Sequence, residues 1–292
     1  MGVLIEDKFR NWEKECEERF SRLKANEEEL NRIFIDLYGL GSELSPEVDA
    51  SHVSVSRALL SREIRSLVSY AVGCVFGRYS PDREGLCFAG GQWDESCYRQ
   101  VIPVEDNIIS FSETGTGYDV TKRLTDFVGN VYGQDVLAEN MSYIAGALGG
   151  KGSTESIIRN YLMNDFYADH VRTYRKRPIY WMVTSGERKA FRSLFYIHRF
   201  EPSLFDAIRR GPLAARMAFL EIELDSLMGS SDISACDRER TEKKILELSA
   251  QTAELEDFSK RLEKLSGERV ILDPDMGIKH NYGLLSDILE RI

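Results

Sequence analysis

Cysteine is scarce and poorly spaced for metal or disulfide chemistry. The five thiols, Cys16, Cys74, Cys87, Cys97 and Cys236, include no C-x-x-C pair, and no histidine lies near Cys87 and Cys97. Neither a zinc centre nor a disulfide framework is expected; free thiols in a reducing compartment are. Histidine is equally sparse. His52, His170, His198 and His280 are scattered, and neither an H-E-x-x-H nor a G-x-S-x-G motif occurs. No acid, base and nucleophile converge in sequence, so no catalytic residue and no metal ligand is assigned. No apolar run approaches the roughly 20 residues that span a bilayer. The first residues carry Glu6, Asp7, Lys8 and Arg10 where a signal peptide would be apolar. These absences predict a cytoplasmic protein with no membrane partner.

What is present suits a folded chain. Of 292 residues, 42% are hydrophobic and 29% charged, enough to close a core. The net charge of −10 speaks against nucleic acid on average, but the charge is unevenly distributed. Between His170 and Arg216 eleven basic residues face three acidic ones, a local balance of +8 that leaves −18 for the remainder. One basic face on an acidic body is the expectation.

Hydrophobic spacing predicts a mainly α protein with a minor β component. Ile5, Phe9, Trp12, Cys16, Phe20, Leu23, Leu30, Phe34 and Leu37 mark one long amphipathic helix, stopped by Gly39 and Gly41. A stripe of that length needs a covering partner. Further helices are expected over 57–75, 119–132, 136–148 and 153–174, the last capped by Ser153 or Thr154. The stretch 78–118 reads as short strands and loops, with Phe88, Trp93, Val101, Ile102, Ile108 and Ile109 buried. Around the turn Thr184-Ser185-Gly186-Glu187, the runs 178–183 and 191–197 predict a β-hairpin, with one of Tyr180 and Trp181 facing inward. A long antiparallel helical hairpin with coiled-coil patterning follows, 203–228 and 237–265, turning at Gly229-Ser230-Ser231-Asp232. A tail with a short helix over 284–292 closes the chain. The implied organisation is a mixed helical region over 1–200, the hairpin over 201–267, and the tail over 268–292.

Two motifs invite chemistry and fail on inspection. In the run 146–152 a phosphate loop would need glycine where Ala145 stands and a hydroxyl where Gly152 stands, so it reads as a connector. Asp165 and Asp169 fall one helical turn apart and read as surface charges rather than a carboxylate dyad. The basic stretch remains. Arg172, Arg175, Lys176 and Arg177 end a helix and lead into a strand; Arg188, Lys189 and Arg192 occupy the turn and the next strand. All seven are candidates for phosphate contact with double-stranded DNA, against the alternative that some pair with neighbouring carboxylates.

Several strings, in order, carry a resemblance. They are the run 25–40 (ANEEELNRIFIDLYGL), the run 69–80 (SYAVGCVFGRYS), Ala89-Gly90-Gly91-Gln92-Trp93-Asp94, Ile157-Ile158-Arg159-Asn160-Tyr161, Lys176-Arg177-Pro178-Ile179-Tyr180-Trp181 and Tyr196-Ile197-His198-Arg199-Phe200. Together, over about 25–216, they resemble the C-terminal region of the PglX-type adenine-specific DNA methyltransferases of BREX phage-defence systems, which are related to type IIG restriction–modification enzymes. The resemblance implies a parent enzyme that uses S-adenosylmethionine to methylate adenine N6 in a defined DNA site. In that family a Rossmann-like domain supplies an F-x-G-x-G loop and an N-P-P-Y motif. No Asn precedes a Pro here, so no catalytic or cofactor residue carries over. The expectation is a non-catalytic DNA-contacting and assembly region, a fragment or a split-gene product. The alternative is a scaffold docking a methyltransferase domain or another defence subunit through the helical hairpin.

Overall fold

The computed structural model describes residues 2–112, 118–229 and 235–292. Helix α1 runs Ile5–Tyr38 and ends where Gly39, at φ 67°, takes the left-handed conformation that glycine adopts without penalty. Its start is fixed by a distant side chain. Asn140, buried, accepts the Ile5 N–H at 2.8 Å and donates to the Val3 carbonyl at 3.0 Å. The apolar stripe is only partly covered: Ile5, Cys16, Phe20 and, near the end, Ile35 are buried, while Trp12, Leu30, Phe34 and Leu37 stand in solvent.

Helices α2 (Leu60–Val75), α3 (Val120–Tyr132), α4 (Leu137–Leu148), α5 (Thr154–Asn164) and α6 (Phe166–Thr173) pack together beside α1. Asp119 caps α3, its carboxylate accepting the Thr121 and Lys122 N–H groups at 2.8 and 3.2 Å. The single helix expected over 153–174 is two helices, broken at Asp165. Aspartate competes for backbone hydrogen bonds and weakens a helix interior. The break turns Phe166, Tyr167 and His170 inward together. Ser153 caps α5 as expected, accepting the Ser156 N–H. Ile102, expected inside, is 67% exposed, since 98–106 is irregular and imposes no alternation.

Strands β1 (Ile109–Ser110), β2 (Tyr180–Thr184) and β3 (Arg192–Tyr196) form an antiparallel sheet in the order β1-β3-β2. The β2–β3 hairpin is the one expected, with Tyr180 opposite Tyr196 and Thr184 opposite Arg192. Successive strand residues point to opposite faces, and here both faces are covered. Tyr180, Met182, Leu194, Tyr196 and Ile109 enter one core with α2–α6. Trp181, Val183, Phe195 and Ile108 enter a second core with the C-terminal helices. Hence both Tyr180 and Trp181 are inside, each 1% exposed, where single-face burial would place only one.

The second core is built by α7 (Leu204–Ile208), α8 (Ala214–Met228), α9 (Ala235–Glu268) and α10 (Gly277–Leu284). The helix expected from 203 to 228 is interrupted by a π-helical turn, Arg209–Leu213, which accommodates Pro212, a residue with no N–H to donate. α8 and α9 lie antiparallel: Arg209 pairs with Glu263 at 3.9 Å, and Lys244 with Glu223. Part of the expected turn, Ser230-Ser231-Asp232, lies outside the described residues. The final helix is α10, not 284–292. Residues 285–292 instead line the free edge of β2: the Thr184 N–H donates to the Ile288 carbonyl and the Glu290 N–H to the Met182 carbonyl, both at 2.8 Å. Covering that edge satisfies groups a helix there would leave unpaired. No helix among the described residues is long and apolar enough to cross a membrane.

Candidate nucleic-acid interface

The seven basic candidates do not form one cluster. Arg175, Lys176 and Arg177 make the turn before β2, while Arg188 and Lys189 lie in the loop after it. Five residues of strand, roughly 13 Å at ~3.3 Å per residue, separate the two groups. The first group is the more open. Arg175, Lys176 and Arg177 are exposed, and no side-chain partner is seen for them among the described residues. Arg172, one turn earlier on α6, is exposed but ion-paired with Asp169.

The turn is backbone-strained. Arg175 (φ 50°) and Lys176 (φ 61°) are consecutive left-handed residues with side chains, a conformation costing roughly 1–2 kcal/mol each. Such strain persists where the surrounding structure over-determines it, and here the turn closes through Lys176 N–H to the Val171 carbonyl and Arg177 N–H to the Tyr174 carbonyl, both at 2.9 Å. Lys176→Gly is expected to raise stability slightly, by up to ~1 kcal/mol after glycine's own entropy cost, as read from urea unfolding. A loss of stability would show that the Lys176 stem packs to real effect.

The second group is engaged with the protein itself. Lys189 Nζ pairs with Glu290 Oε1 at 2.5 Å. The Arg188 side chain is exposed, while its N–H donates to Glu254 at 2.9 Å. Glu254 of α9 also accepts the Ser185 hydroxyl at 2.6 Å and the Ala190 N–H at 3.2 Å, so it pins the whole loop. Arg192 is turned inward. Only 12% of its side chain is exposed, its guanidinium donates to the Met163 carbonyl, and Glu290 lies 3.9 Å away. Burial pulls its pKa below the ordinary arginine range. Asp165 and Asp169 form no dyad: Asp165 is exposed, and Asp169 serves Arg65, Arg172 and Tyr161.

His170 was missed as a feature of this region; an isolated histidine in a helix gives no sequence signal. It is buried, its Nε2 accepts the Tyr180 N–H at 3.2 Å, and its ring stacks on Tyr180 at 4.8 Å. Burial and the nearby Arg78 charge lower its pKa to about 3. Because that value lies below the unfolded one, the unfolded state takes up a proton first as pH falls. Stability is therefore full above pH 6.5 and is expected to fall by up to ~1.4 kcal/mol per unit from about pH 6.5 downward toward 3. Urea unfolding at pH 6.5, 5.5 and 4.5 reads this slope, and His170→Gln should flatten it.

In the run 146–152 the first three residues end α4 and the rest connect it to α5: Gly149, Gly150 and Gly152 all have positive φ, and the connector follows a helix, not a strand.

The sequence is matched among known proteins. The chain is 42% identical over 285 residues, 95% of its length, to the adenine-specific methyltransferase PglX of Lacticaseibacillus casei (strain Zhang). The chain is thus similar to one part of a PglX-type adenine-specific methyltransferase. It is also 34% identical over 249 residues, 80% of its length, to the adenine-specific methyltransferase BrxX of Escherichia coli O9:H4 (strain HS). It spans only 24% of the PglX sequence and 21% of BrxX. The resemblance to the C-terminal region of PglX-type proteins read from the strings is thereby borne out. No family model matches. Among the described residues the sheet is short and antiparallel, without the parallel strand–helix crossover of a Rossmann-like domain.

Proposed function

We propose that this segment is a non-catalytic DNA-contacting part of a PglX-type adenine-N6 methyltransferase, and that the turn 175–177 holds duplex DNA by its phosphates. The observation that carries this reading is the run of three exposed basic side chains without side-chain partners among the described residues, on a strained turn braced by the sheet. Cations held clear of carboxylates release counterions when they meet phosphate, which favours binding and makes it depend on salt. Arg172 borders the contact while paired with Asp169, and Arg188 lies at the other end of β2; Lys189 and Arg192, both occupied by Glu290, hold the scaffold instead. The reaction belongs to the rest of such a protein, with S-adenosylmethionine bound there. The test is binding of the chain to a labelled duplex between 50 and 300 mM salt. A steep linear fall of log K with log salt is expected, and no binding at the lowest salt would remove the DNA reading.

A second role is favoured by apolar surface at the ends of the long helices. Leu30, Phe34 and Leu37 on α1, and Ile222 and Leu246 on the α8–α9 hairpin, are exposed. Large apolar side chains left in water in this way suit contact with the remainder of the methyltransferase or with another defence subunit.

A further inference from the structure

An open cleft of about 710 Å³ lies between α2 and α6, immediately beside the basic turn. Its lining is aromatic and polar. Tyr70, Tyr79 and Tyr174 are half-buried, with one part of each ring in the core and another at the cleft. Arg65 from α2 and Arg172 from α6 meet on Asp169, the former through Nη1 at 3.0 Å, and the Tyr161 hydroxyl donates to the same carboxylate at 3.1 Å. Asp169 is thus saturated with donors. Counting Arg62, which pairs with Glu63, the charges at the cleft sum to about +1.

Two buried donors here have no partner among the described residues: Nδ1 of His170 and Nε of Arg65. The histidine assignment follows from geometry. Nε2 accepts a backbone N–H, so the ring proton sits on Nδ1, and that N–H is left unpaired. Unpaired buried donors are costly, on the order of 1–3 kcal/mol each, unless an acceptor arrives. Both atoms are sealed from the cleft, so the lining itself sets the ligand: aromatic faces and a positive rim together call for a flat, anionic one.

We propose that this cleft binds a nucleotide, with the base stacked among Tyr70, Tyr79 and Tyr174 and the phosphate toward Arg62 and Arg172. The nucleotide is either free or an unpaired residue of DNA lying on the 175–177 turn; only the second source rests on the DNA reading above. Base–aromatic stacking contributes ~1–3 kcal/mol, which corresponds to roughly 5- to 150-fold in affinity.

The test uses the full chain. Calorimetric titration with dAMP and with deoxyribose 5-phosphate reads the base. Anisotropy with a duplex that is fully paired, or that carries one extrahelical adenosine, reads the DNA source. One variant locates the site: Ser66→Trp fills the cleft from an exposed helix position. At least tenfold tighter binding of dAMP than of the sugar phosphate, or of the bulged duplex than of the paired one, is expected, with loss in Ser66→Trp at unchanged unfolding midpoint. Equal binding throughout overturns the cleft proposal, and if the paired duplex still binds, the DNA reading survives it. Binding of dAMP with no duplex binding upholds the cleft and removes the DNA reading. A base preference that persists in Ser66→Trp places binding elsewhere and overturns the proposal.

Discussion

Changing Arg175, Lys176 and Arg177 together to alanine is expected to weaken duplex binding by a hundredfold or more at 0.1 M salt and to flatten its salt dependence. Each phosphate contact contributes about 0.9 to the slope of log K against log salt, so three contacts account for about 2.7. At 0.1 M salt the same relation gives roughly eightfold in affinity per contact, or several hundredfold for three. Folding should be untouched, because these side chains are exposed and make no intramolecular pair among the described residues. Two comparisons sharpen the result. Arg188→Ala with Lys189→Ala acts at the other end of β2, and Lys189 must first leave Glu290, so that pair should reduce the slope by less than 1. Arg192→Ala should lower stability and leave the slope alone, since its guanidinium is spent on the Met163 carbonyl. Equal slopes for the triple variant and the unchanged chain would mean that DNA, if bound, is held elsewhere.

The sequence led to the expectation of one basic face, and the structure instead separates the two basic groups, because residues before and after one strand cannot share an end of it. What composition showed was only that positive charge concentrates between His170 and Arg216. Which charges are free depends on partners 60 to 100 positions away, such as Glu254 and Glu290, and no local pattern announces them. Strong local signals did carry through: Gly39 ended α1, Asp119 capped α3, and the 178–197 hairpin formed where its apolar runs lay. Weak ones did not. β1 has two residues, too few for any period, and the buried Asn140 that fixes the start of α1 looks like any other helical asparagine. The cleft between α2 and α6 draws on side chains from position 59 to position 180, so it exists only after folding.

Trp181→Ala is expected to cost 3–5 kcal/mol, the largest effect on stability of any single change considered. The indole is fully enclosed in the second core, its Nε1–H donates to the Pro178 carbonyl at 3.0 Å, and its ring meets Tyr282 edge-on at 5.0 Å and Phe195 at 5.8 Å. Truncation removes the transfer energy of the ring and leaves a cavity between the sheet and the C-terminal layer. Against a total stability of about 5–15 kcal/mol, that is a fifth or more. Urea unfolding should show a lower midpoint with an unchanged slope if the chain still unfolds as a unit. The same change bears on function. Pro178 directly follows the basic turn, and the indole hydrogen bond is one of the ties that hold it, so duplex affinity should fall even at temperatures where the variant remains folded. A loss of stability with undiminished DNA affinity would show that the turn is held by α6 and the first core alone, through the Val171 and Tyr174 carbonyls. The second core would then serve only to close the sheet.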